Sequence, residues 1–268
     1  MSTLKTTNLQ HTSAASPAIV LAADGSAAAQ VSSLNGGPLA GMRNLLINGN
    51  PIINQRDYVS GTATSGANQY TLDRWRVVTS GEAITWTDSA NVRTVTAPAG
   101  GVEQVIEGLN ILSGTYTLSW TGTATATVDG SSVTNGGQVT LTGGTNATVR
   151  FSGGTFSLAQ LEVGTVSTPF ERRSYGQELA LCQRYYELLP PASVQFPWGS
   201  GTQVVRSNVA FKTTKRATPT VTLTGAAGST ATATLTSTTP FLNGALLGFS
   251  GNVQDYLTYT GGTASAEL

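Results

Sequence analysis

The fold is decided most clearly by residues 115–128, which read TYTLSWTGTATATV. The large and apolar side chains of this stretch share one parity: Tyr116, Leu118, Trp120, Ala124, Ala126 and Val128. Thr and Ser occupy the other parity. Because successive side chains of a strand point to opposite faces, this period of two predicts a strand or a hairpin with one buried face.

Outward from this stretch, the same alternation returns between short turn signals. Asp129-Gly130 is a strong hairpin signal, and two Gly-Gly pairs, at 143–144 and 153–154, separate further alternating segments. Several short strands without a helical pattern between them favour an antiparallel sandwich over a parallel α/β sheet. We therefore predict a mainly β protein in which residues 44–173 form a jelly-roll-like β-sandwich.

A single helical pattern follows the predicted sandwich. Ser174 and Gln177 have the spacing of a capping box, and Pro190-Pro191 would stop the helix. The apolar residues of this segment recur at intervals of three and four: Leu179, Cys182, Tyr186 and Leu189. We predict a short connecting helix over residues 174–191.

The two ends of the chain differ from its middle. Residues 192–268 return to the alternating pattern and predict a small C-terminal β domain with a thin core, a deficit that oligomerisation would repair. Residues 1–43 contain too few large apolar side chains to bury a core of their own. Two interpretations of this segment remain open, namely order gained by pairing with other copies or a partner, and a disordered terminus.

The charge of the chain is low and balanced, with 14 Lys and Arg residues against 14 Asp and Glu residues. Without a broad cationic field, counterion release from phosphates cannot supply affinity for nucleic acid, so we expect no nucleic-acid partner.

No stretch approaches the roughly 20 apolar residues of a membrane helix, so we expect no membrane insertion. The apolar run at residues 18–23 is shorter than a usual signal-peptide core, which predicts release by lysis rather than secretion.

Histidine and cysteine each occur once, as His11 and Cys182. A zinc cluster needs more such side chains than one chain offers, and a disulfide needs a second cysteine. His11 lies in the N-terminal segment that lacks a core of its own, far in sequence from Cys182, so we expect no His-based triad within one chain. Because Cys182 falls on the apolar stripe, we interpret it as a buried structural thiol. No phosphate-binding or dinucleotide-binding glycine motif occurs, and we expect neither metal nor cofactor.

Paired carboxylates are the one catalytic chemistry that the sequence leaves open, because a glycoside hydrolase needs two acids roughly 5 to 10 Å apart. The candidate pairs are Glu103 with Glu107 and Glu162 with Glu171. The alternative interpretation, which we prefer, is that these are solvated charges at strand edges or in loops. We therefore predict that the protein is not an enzyme.

Aromatic side chains are better candidates for ligand contact, because the C–H faces of sugar rings pack against Trp and Tyr. Trp75 and Trp120 have the pattern of core residues, whereas Trp86 fits either core or surface. The C-terminal domain supplies a candidate receptor-binding set: Trp198, Tyr256 and Tyr259. The alternative is that these rings serve the core of a thin domain.

Three blocks of sequence carry a family resemblance: residues 44–50 (NLLINGN), 70–76 (YTLDRWR) and 168–186 (TPFERRSYGQELALCQRYY). They resemble tail-fibre and tail-associated proteins of tailed bacteriophages. The third block is the most specific, being long and ungapped. The opening segments 4–11 (LKTTNLQH) and 16–21 (SPAIVL) are similar to the start of cyanophage fibre proteins, and the ending 263–268 (TASAEL) is also typical of them.

The resemblance implies a virion tail fibre that assembles in the host cytoplasm and acts at the outer surface of the host. Such fibres are commonly homotrimers. Residues 1–43 would attach to the phage tail, the baseplate or an adaptor protein, and the distal part would contact a host surface glycan or lipopolysaccharide. Three-fold packing would bring the helix stripe near one axis, so we expect a trimer interface at these residues: Leu179, Cys182, Tyr186 and Leu189.

Host adhesion is the leading functional hypothesis, because several trimers with many weak sites give avidity. The second hypothesis is a purely structural baseplate or neck component without receptor contact. The third is a polysaccharide depolymerase, which would need a long substrate groove and well-placed acids.

Overall fold

A computed structural model of the chain shows, in the residues that it describes, a mainly β architecture with one α-helix, which confirms the prediction of a mainly β protein. It describes residues 8–9, 19–21, 23, 27–29, 42–195, 203–224, 227–228, 234–251 and 256–268. A small antiparallel sheet lies nearest the N-terminus and consists of β1 (Asn8–Leu9), β2 (Ile19–Leu21) and β3 (Ala27–Ala29).

The middle of the chain forms two antiparallel sheets that pack face to face as a β-sandwich. One sheet contains β4 (Gln69–Tyr70), β5 (Arg76–Val77), β8 (Val102–Ile106), β10 (Thr125–Val128), β11 (Ser131–Val133) and β13 (Ala147–Ser152). The other contains β6 (Thr85–Ser89), β7 (Val92–Ala97), β9 (Gly114–Thr121), β12 (Gly137–Leu141) and β14 (Gly154–Val163). The strand orders are β11-β10-β13-β8-β5-β4 and β12-β9-β14-β7-β6.

The stretch 115–128 spans both sheets. Its first half lies in β9 and its second half in β10, and the chain crosses from one sheet to the other at Gly122, where φ is +136°. All six side chains of the apolar parity are buried, so the predicted single buried face is confirmed. Neither a single strand nor a hairpin is formed, because β9 pairs with β12 and β14 in one sheet while β10 pairs with β11 and β13 in the other.

Aromatic rings join the two sheets at the centre of the sandwich. Phe151 of β13 stacks on Phe156 of β14, with ring centroids 4.4 Å apart. Trp75 lies 5.1 Å from Phe156, and Trp120 lies 5.4 Å from Phe151. Both indoles are buried, which confirms their predicted place in the core. Such aromatic pairs add about 0.5 to 1.5 kcal/mol beyond the burial of their area.

The connecting helix α1 (Tyr175–Gln183) is shorter than predicted. Its N-terminus carries the expected capping box, in which Ser174 Oγ accepts a hydrogen bond from Gln177 N. The predicted continuation to residue 191 is wrong, because β15 (Tyr186–Leu189) pairs antiparallel with β23 (Gly261–Ser265). Backbone pairing with a distant strand therefore overrides a local spacing that suits a helix equally well.

The C-terminal part consists of two layers around a separate core, one with two three-stranded sheets and the other with one. In one layer, the order β15-β23-β18 is continued by β16-β22-β19, and the other layer has the order β17-β21-β20. The bounds of the remaining strands are β16 (Ala192–Gln195), β17 (Gln203–Ala210), β18 (Thr220–Thr224), β19 (Ala227–Gly228), β20 (Thr234–Phe241), β21 (Gly244–Gly251) and β22 (Tyr256–Tyr259). The predicted small β domain is thus present in the described residues, and its strands begin at Tyr186.

Candidate functional site

The three blocks that carry the family resemblance lie side by side in the structure. Asn48 of the first block donates its side-chain amide to Asp73 O of the second block at 3.0 Å, and it accepts from Trp75 Nε1 at 2.9 Å. The backbone N–H of Asn48 donates to Glu178 of the third block at 2.5 Å. We call this network, formed by residues 44–50, 70–76 and 168–186, the joint. It connects the sandwich to helix α1 and to the C-terminal domain.

A β-bulge in β14 prepares the place where the first block docks. The register of β14 against β9 shifts between Ser157 and Gln160, which frees the backbone of Ala159 from the ladder. Ala159 N then donates to Gly49 O at 2.8 Å, and Asn44 Nδ2 donates to Ala159 O at 2.9 Å. A Cβ at Gly49 would lie 2.3 Å from Ala159 O, so only glycine fits this approach.

Glu162 and Glu171, one of the candidate catalytic pairs, are both buried, Glu171 within the joint and Glu162 in β14 beside it. Glu171 accepts hydrogen bonds from the backbone N–H groups of Met42 and Asn44. Glu162 accepts from Thr168 N at 2.7 Å and forms an ion pair with Arg43 at 2.8 Å. These contacts engage both carboxylates within the chain, so the pair holds the chain segments around the joint together.

The pKa of Glu162 shows which effect dominates at this site. Burial alone would raise the pKa, but hydrogen bonds from the Thr168 backbone and hydroxyl, from Gln160 and from Arg43 outweigh it. The pKa of Glu162 is therefore held below its ordinary value, and the carboxylate stays ionised near neutral pH.

Glu103 and Glu107, the other candidate pair, are also buried and matched by arginines. Glu103 binds Arg76 at 2.7 Å and Arg150 at 2.6 Å across neighbouring strands. Glu107 binds Arg184 at 3.0 Å, beyond the end of helix α1. The expectation that the four candidate acids are solvated edge charges is wrong, since all four are at most 7% exposed. Their arginine and backbone partners give them structural roles.

The last residues of the chain are held against the sandwich by a cluster that we call the latch: Arg56, Arg74, Arg76 and Glu267. Glu267 forms ion pairs with Arg56, at 2.8 Å, and with Arg74. The guanidinium of Arg74 also lies 3.5 Å from the centroid of the Tyr185 ring. Arg76 Nη1 donates to Leu268 O at 2.8 Å. The latch therefore couples the C-terminal strands to the second sequence block.

A second buried ion pair fixes the C-terminal domain to the end of helix α1. Lys215 Nζ lies 2.7 Å from Glu187, and both side chains are at most 1% exposed. Lys215 Nζ also donates to Gln183 O. Burial lowers the pKa of Lys215, and the hydrogen bond to Glu187 opposes that shift. Removal of either partner would leave the other charge buried without compensation.

The predicted receptor-binding set is not brought together in the described residues. Trp198 lies outside them. Tyr256 belongs to β22, and the structure describes its backbone but not its side chain. The expected exposure of Tyr259 is wrong, because its ring is 1% exposed and stacks on Phe249 at 6.4 Å in the C-terminal core. For Tyr259, the alternative of a core role is the correct one.

The predicted trimer-interface residues do not form an exposed helical stripe. Cys182 is buried in a small cluster with Ile47, Ile53 and Tyr185, against which the partly buried Leu179 packs. Tyr186 and Leu189 belong to β15, where Tyr186 lies beneath the guanidinium of Arg56 at 3.6 Å and Leu189 enters the C-terminal core. Packing within one chain uses the apolar surface that we assigned to contact between copies.

Cys182 is a buried structural thiol, as predicted. Its pKa is raised well above the ordinary value, chiefly by burial and next by the nearby carboxylate of Asp73. The thiolate needed for nucleophilic chemistry is therefore scarce at neutral pH.

Across the described ranges, no group of three or more His, Cys, Asp or Glu residues is placed to hold a metal ion. Within those same ranges, no helix has the length and apolar character required to cross a membrane.

The surface carries two adjoining depressions between the β6–β7 hairpin and the first turn of α1. The first is lined by Asn50, Ile52, Asn91, Phe170, Arg172, Arg173, Tyr175 and Glu178. The second shares Ile52 and Asn91 with the first and continues along the hairpin past Asp88 and Arg93. We call the two together the hairpin groove. Trp86, which the sequence left ambiguous, lies half-buried beside it, with Arg93 4.6 Å above its ring.

Sequence reasoning did not select Arg172 or Tyr175 as surface residues. Tyr175 precedes Leu179 by four residues, so helical spacing places it near the apolar stripe, yet its side chain is 61% exposed. Helix α1 starts at Tyr175, and the body of the sandwich does not cover this first turn. The capping box at Ser174 was the better signal, because it shows that the helix begins at Tyr175 and so places Tyr175 in the first turn.

Comparison of the chain with protein-family models, with curated proteins and with solved structures finds no match.

Proposed function

We propose that this chain is a non-enzymatic tail-fibre protein of a tailed bacteriophage that assembles into the virion and binds the host surface. The observation that supports the proposal best is the joint. The three blocks that resemble tail-fibre proteins are separated by up to about a hundred residues, yet their side chains form one buried network.

A jelly-roll-like organisation of the sandwich is part of this proposal. The consecutive strand pairs β7–β8, β9–β10 and β13–β14 each place one strand in either sheet, and β13 and β14 insert between the other two pairs. This interleaving is characteristic of double-sheet Greek-key folds. Such domains present polar outer faces, and the outer face of β13 carries Thr148, Arg150 and Ser152.

A homotrimer attached to the tail through residues 1–43 is the proposed assembly. Among the described residues, the C-terminal core has seven buried apolar side chains, and contact between copies would add to it. Since the stripe at α1 and β15 is buried within one chain, the surfaces between copies must lie elsewhere. Light scattering of the purified chain tests this: we expect three times the chain mass of 27.6 kDa, and a monomer at micromolar concentration would contradict the trimer.

Host adhesion is the proposed activity, directed at a surface glycan or lipopolysaccharide. The surface is poor in charge, since only 10% of the residues are charged, and polar hydroxyl and amide groups are available for sugar hydroxyls. Purified protein should bind host cells and compete with the phage for adsorption. Saturating protein that neither binds cells nor slows adsorption would overturn the adhesive role.

The alternative is a purely structural component of the baseplate or neck, and the joint and latch favour it independently. The ion pair Arg74–Glu267 joins the sandwich to the end of the C-terminal domain, and Lys215 Nζ of that domain donates to Gln183 O of helix α1, as a rigid spacer requires. An antibody against the C-terminal domain separates the two functions. Blocked adsorption supports adhesion, whereas unchanged adsorption by virions that carry the antibody supports the structural role.

The absence of catalysis is also a proposal, and the engagement of all four candidate acids supports it. Each carboxylate binds an arginine or backbone N–H groups within the chain. Incubation of host polysaccharide with the protein should release no new reducing ends. Release that disappears in Glu103→Gln or Glu162→Gln would support a depolymerase instead.

A further inference from the structure

We propose that the hairpin groove binds a carboxylate-bearing sugar residue of a host surface polysaccharide. This inference rests on the proposed adhesive function and places a contact on the sandwich domain. It would add to any contact made by the C-terminal domain, where the sequence had suggested Trp198 and the two tyrosines.

The first reason is an exposed aromatic platform. Tyr175 is 61% exposed, and in the described part of the chain its hydroxyl has no hydrogen-bond partner. Ile52 and Phe170 line the same depression and add apolar surface. A sugar ring offers C–H faces that pack on such surfaces while its hydroxyl groups reach neighbouring polar atoms.

The second reason is the charge of the groove. Arg173 pairs with Glu178 at 3.2 Å, and Arg93 pairs with Asp88 at 2.8 Å, so these charges compensate one another. Among the described residues that line the groove, Arg172 is the charged side chain without an oppositely charged partner. It is exposed, and a guanidinium binds a carboxylate through two parallel hydrogen bonds.

The third reason is that the groove is held in shape by its own hydrogen bonds. Asn50 Nδ2 donates to Asn91 O at 2.8 Å, and Asn50 Oδ1 accepts from Arg93 N at 2.9 Å. Asn50 thereby fixes the turn of the β6–β7 hairpin to the first sequence block. A site built before the ligand arrives loses less conformational entropy on binding.

The size of the groove sets how much ligand it takes. The depression beside Tyr175 has a volume of about 140 Å³, which is small beside the roughly 300 to 1,000 Å³ of drug-sized ligand sites. The adjoining depression, of about 340 Å³, continues along the hairpin. The smaller depression would hold one acidic sugar at Arg172 and Tyr175. The larger one would hold the next sugar of the polymer along the hairpin.

The test measures binding of the full chain to polygalacturonate and alginate, with dextran as the neutral polymer and inorganic phosphate as the plain anion. We expect the two polyuronates to bind, at least tenfold more tightly than dextran, and more weakly as salt is added. Arg172→Ala and Tyr175→Ala should each weaken polyuronate binding at least tenfold. Arg206→Ala, which removes an exposed arginine of β17, should leave it unchanged.

The outcomes separate this inference from the function on which it rests. If the wild-type chain binds host cells but binds no polyuronate, or binds dextran equally well, the groove inference is overturned and adhesion stands. Polyuronate binding that survives Arg172→Ala also overturns it, as does displacement by equimolar phosphate. If the chain binds no host cells, adhesion itself is overturned. Melting temperatures of the variants, expected within 2 °C or so of wild type for surface substitutions, exclude misfolding as the cause.

Discussion

At the scale of single residues, buried polar side chains give the joint its geometry. Glu162 is fully buried, yet its carboxylate is satisfied by a backbone N–H, a hydroxyl, an amide and a guanidinium. A buried carboxylate with such partners stays ionised, and the loss of one partner leaves the others unsatisfied.

Glu162→Gln should destabilise the protein more at neutral pH than in acid. The folded pKa of Glu162 is depressed, so its stabilising effect is present above the ordinary value of 4.5 and is lost as pH falls through the folded pKa. We expect a loss of about 1 to 3 kcal/mol in the free energy of unfolding at pH 7 and a smaller loss near pH 3.

Urea denaturation at the two pH values checks this prediction. Asp57→Asn, at an exposed carboxylate, is the matched control and should change little at either pH. An equal effect of Glu162→Gln at pH 7 and at pH 3 would show that the charge of Glu162 does not contribute.

Gly49→Ala should destabilise the joint by about 1 to 3 kcal/mol, because the added methyl group would overlap the backbone of the bulge in β14. Gly66→Ala is the control, since a Cβ there meets nothing within 4 Å. Thermal unfolding of both variants measures the difference. Equal melting temperatures would mean that the first block docks more loosely than the hydrogen bonds to Ala159 indicate.

The residue pattern predicted burial well where the alternation within one strand determines it. It predicted burial poorly where packing between distant strands determines it. Trp75 and Trp120 lie on strongly alternating or tightly turned segments, and their burial was predicted. Tyr259 lies in a four-residue strand, and its partner Phe249 reaches it only through the packing of two sheet layers. No local pattern carries that information.

At the scale of elements, helix α1 is short and depends on its ends. It spans nine residues, and an isolated helix of that length is marginal in water. The capping box at Ser174 and Gln177 satisfies backbone groups that would otherwise lack partners at the N-terminus.

Ser174→Ala should lower the free energy of unfolding by about 1 kcal/mol, because it removes the acceptor for Gln177 N. Gly176→Ala should act in the opposite direction by up to about 1 kcal/mol, since its Cβ meets nothing within 4 Å and alanine favours the helix. Chemical denaturation of the two variants provides the measurement. A neutral Ser174→Ala would show that the first turn gains no stability from its cap.

The start of α1 was predictable from sequence and its end was not. The capping box is a local chemical signal, whereas the end depends on Tyr186–Leu189 pairing with Gly262–Ser265, more than seventy residues away. The spacing of Leu179, Cys182, Tyr186 and Leu189 satisfies a helix, but Tyr186 and Leu189 also suit a strand. Backbone pairing decided between these two conformations.

At the scale of the whole molecule, the joint and the latch make the sandwich and the C-terminal domain dependent on each other. Arg74 is 1% exposed, pairs with Glu267 and donates to Val105 O at 2.6 Å. The second sequence block thus contacts the core of the sandwich, helix α1 and the last residues of the chain.

Arg74→Ala should cost about 3 to 5 kcal/mol, because it leaves the buried Glu267 with one arginine fewer. We also expect the wild type to unfold in one calorimetric transition and Arg74→Ala in two, with the C-terminal domain unfolding first. Asp88→Ala, which breaks an ion pair at a 55% exposed carboxylate, is the control and should cost under about 1 kcal/mol. A single transition in Arg74→Ala would contradict the coupling by the latch.

The three blocks of the joint were recognised in the sequence, but their contact in the folded chain could not be deduced from it. The resemblance marked three blocks, and alternation and capping signals described each one separately. Their meeting depends on the bulge at Ala159 and on the return of the chain to Glu267, neither of which has a local signal. The hairpin groove is hidden for the same reason, because its residues come from the β6–β7 hairpin, the first block and the third block.

We propose that the chain forms a fibre of a phage tail with its C-terminal domain facing outward. Electron microscopy of intact virions of the encoding phage, labelled with gold-conjugated antibody against residues 203–268, tests it most directly. We predict label at the distal ends of fibres attached to the tail. Virions that carry no label, or label on the capsid alone, would contradict the claim.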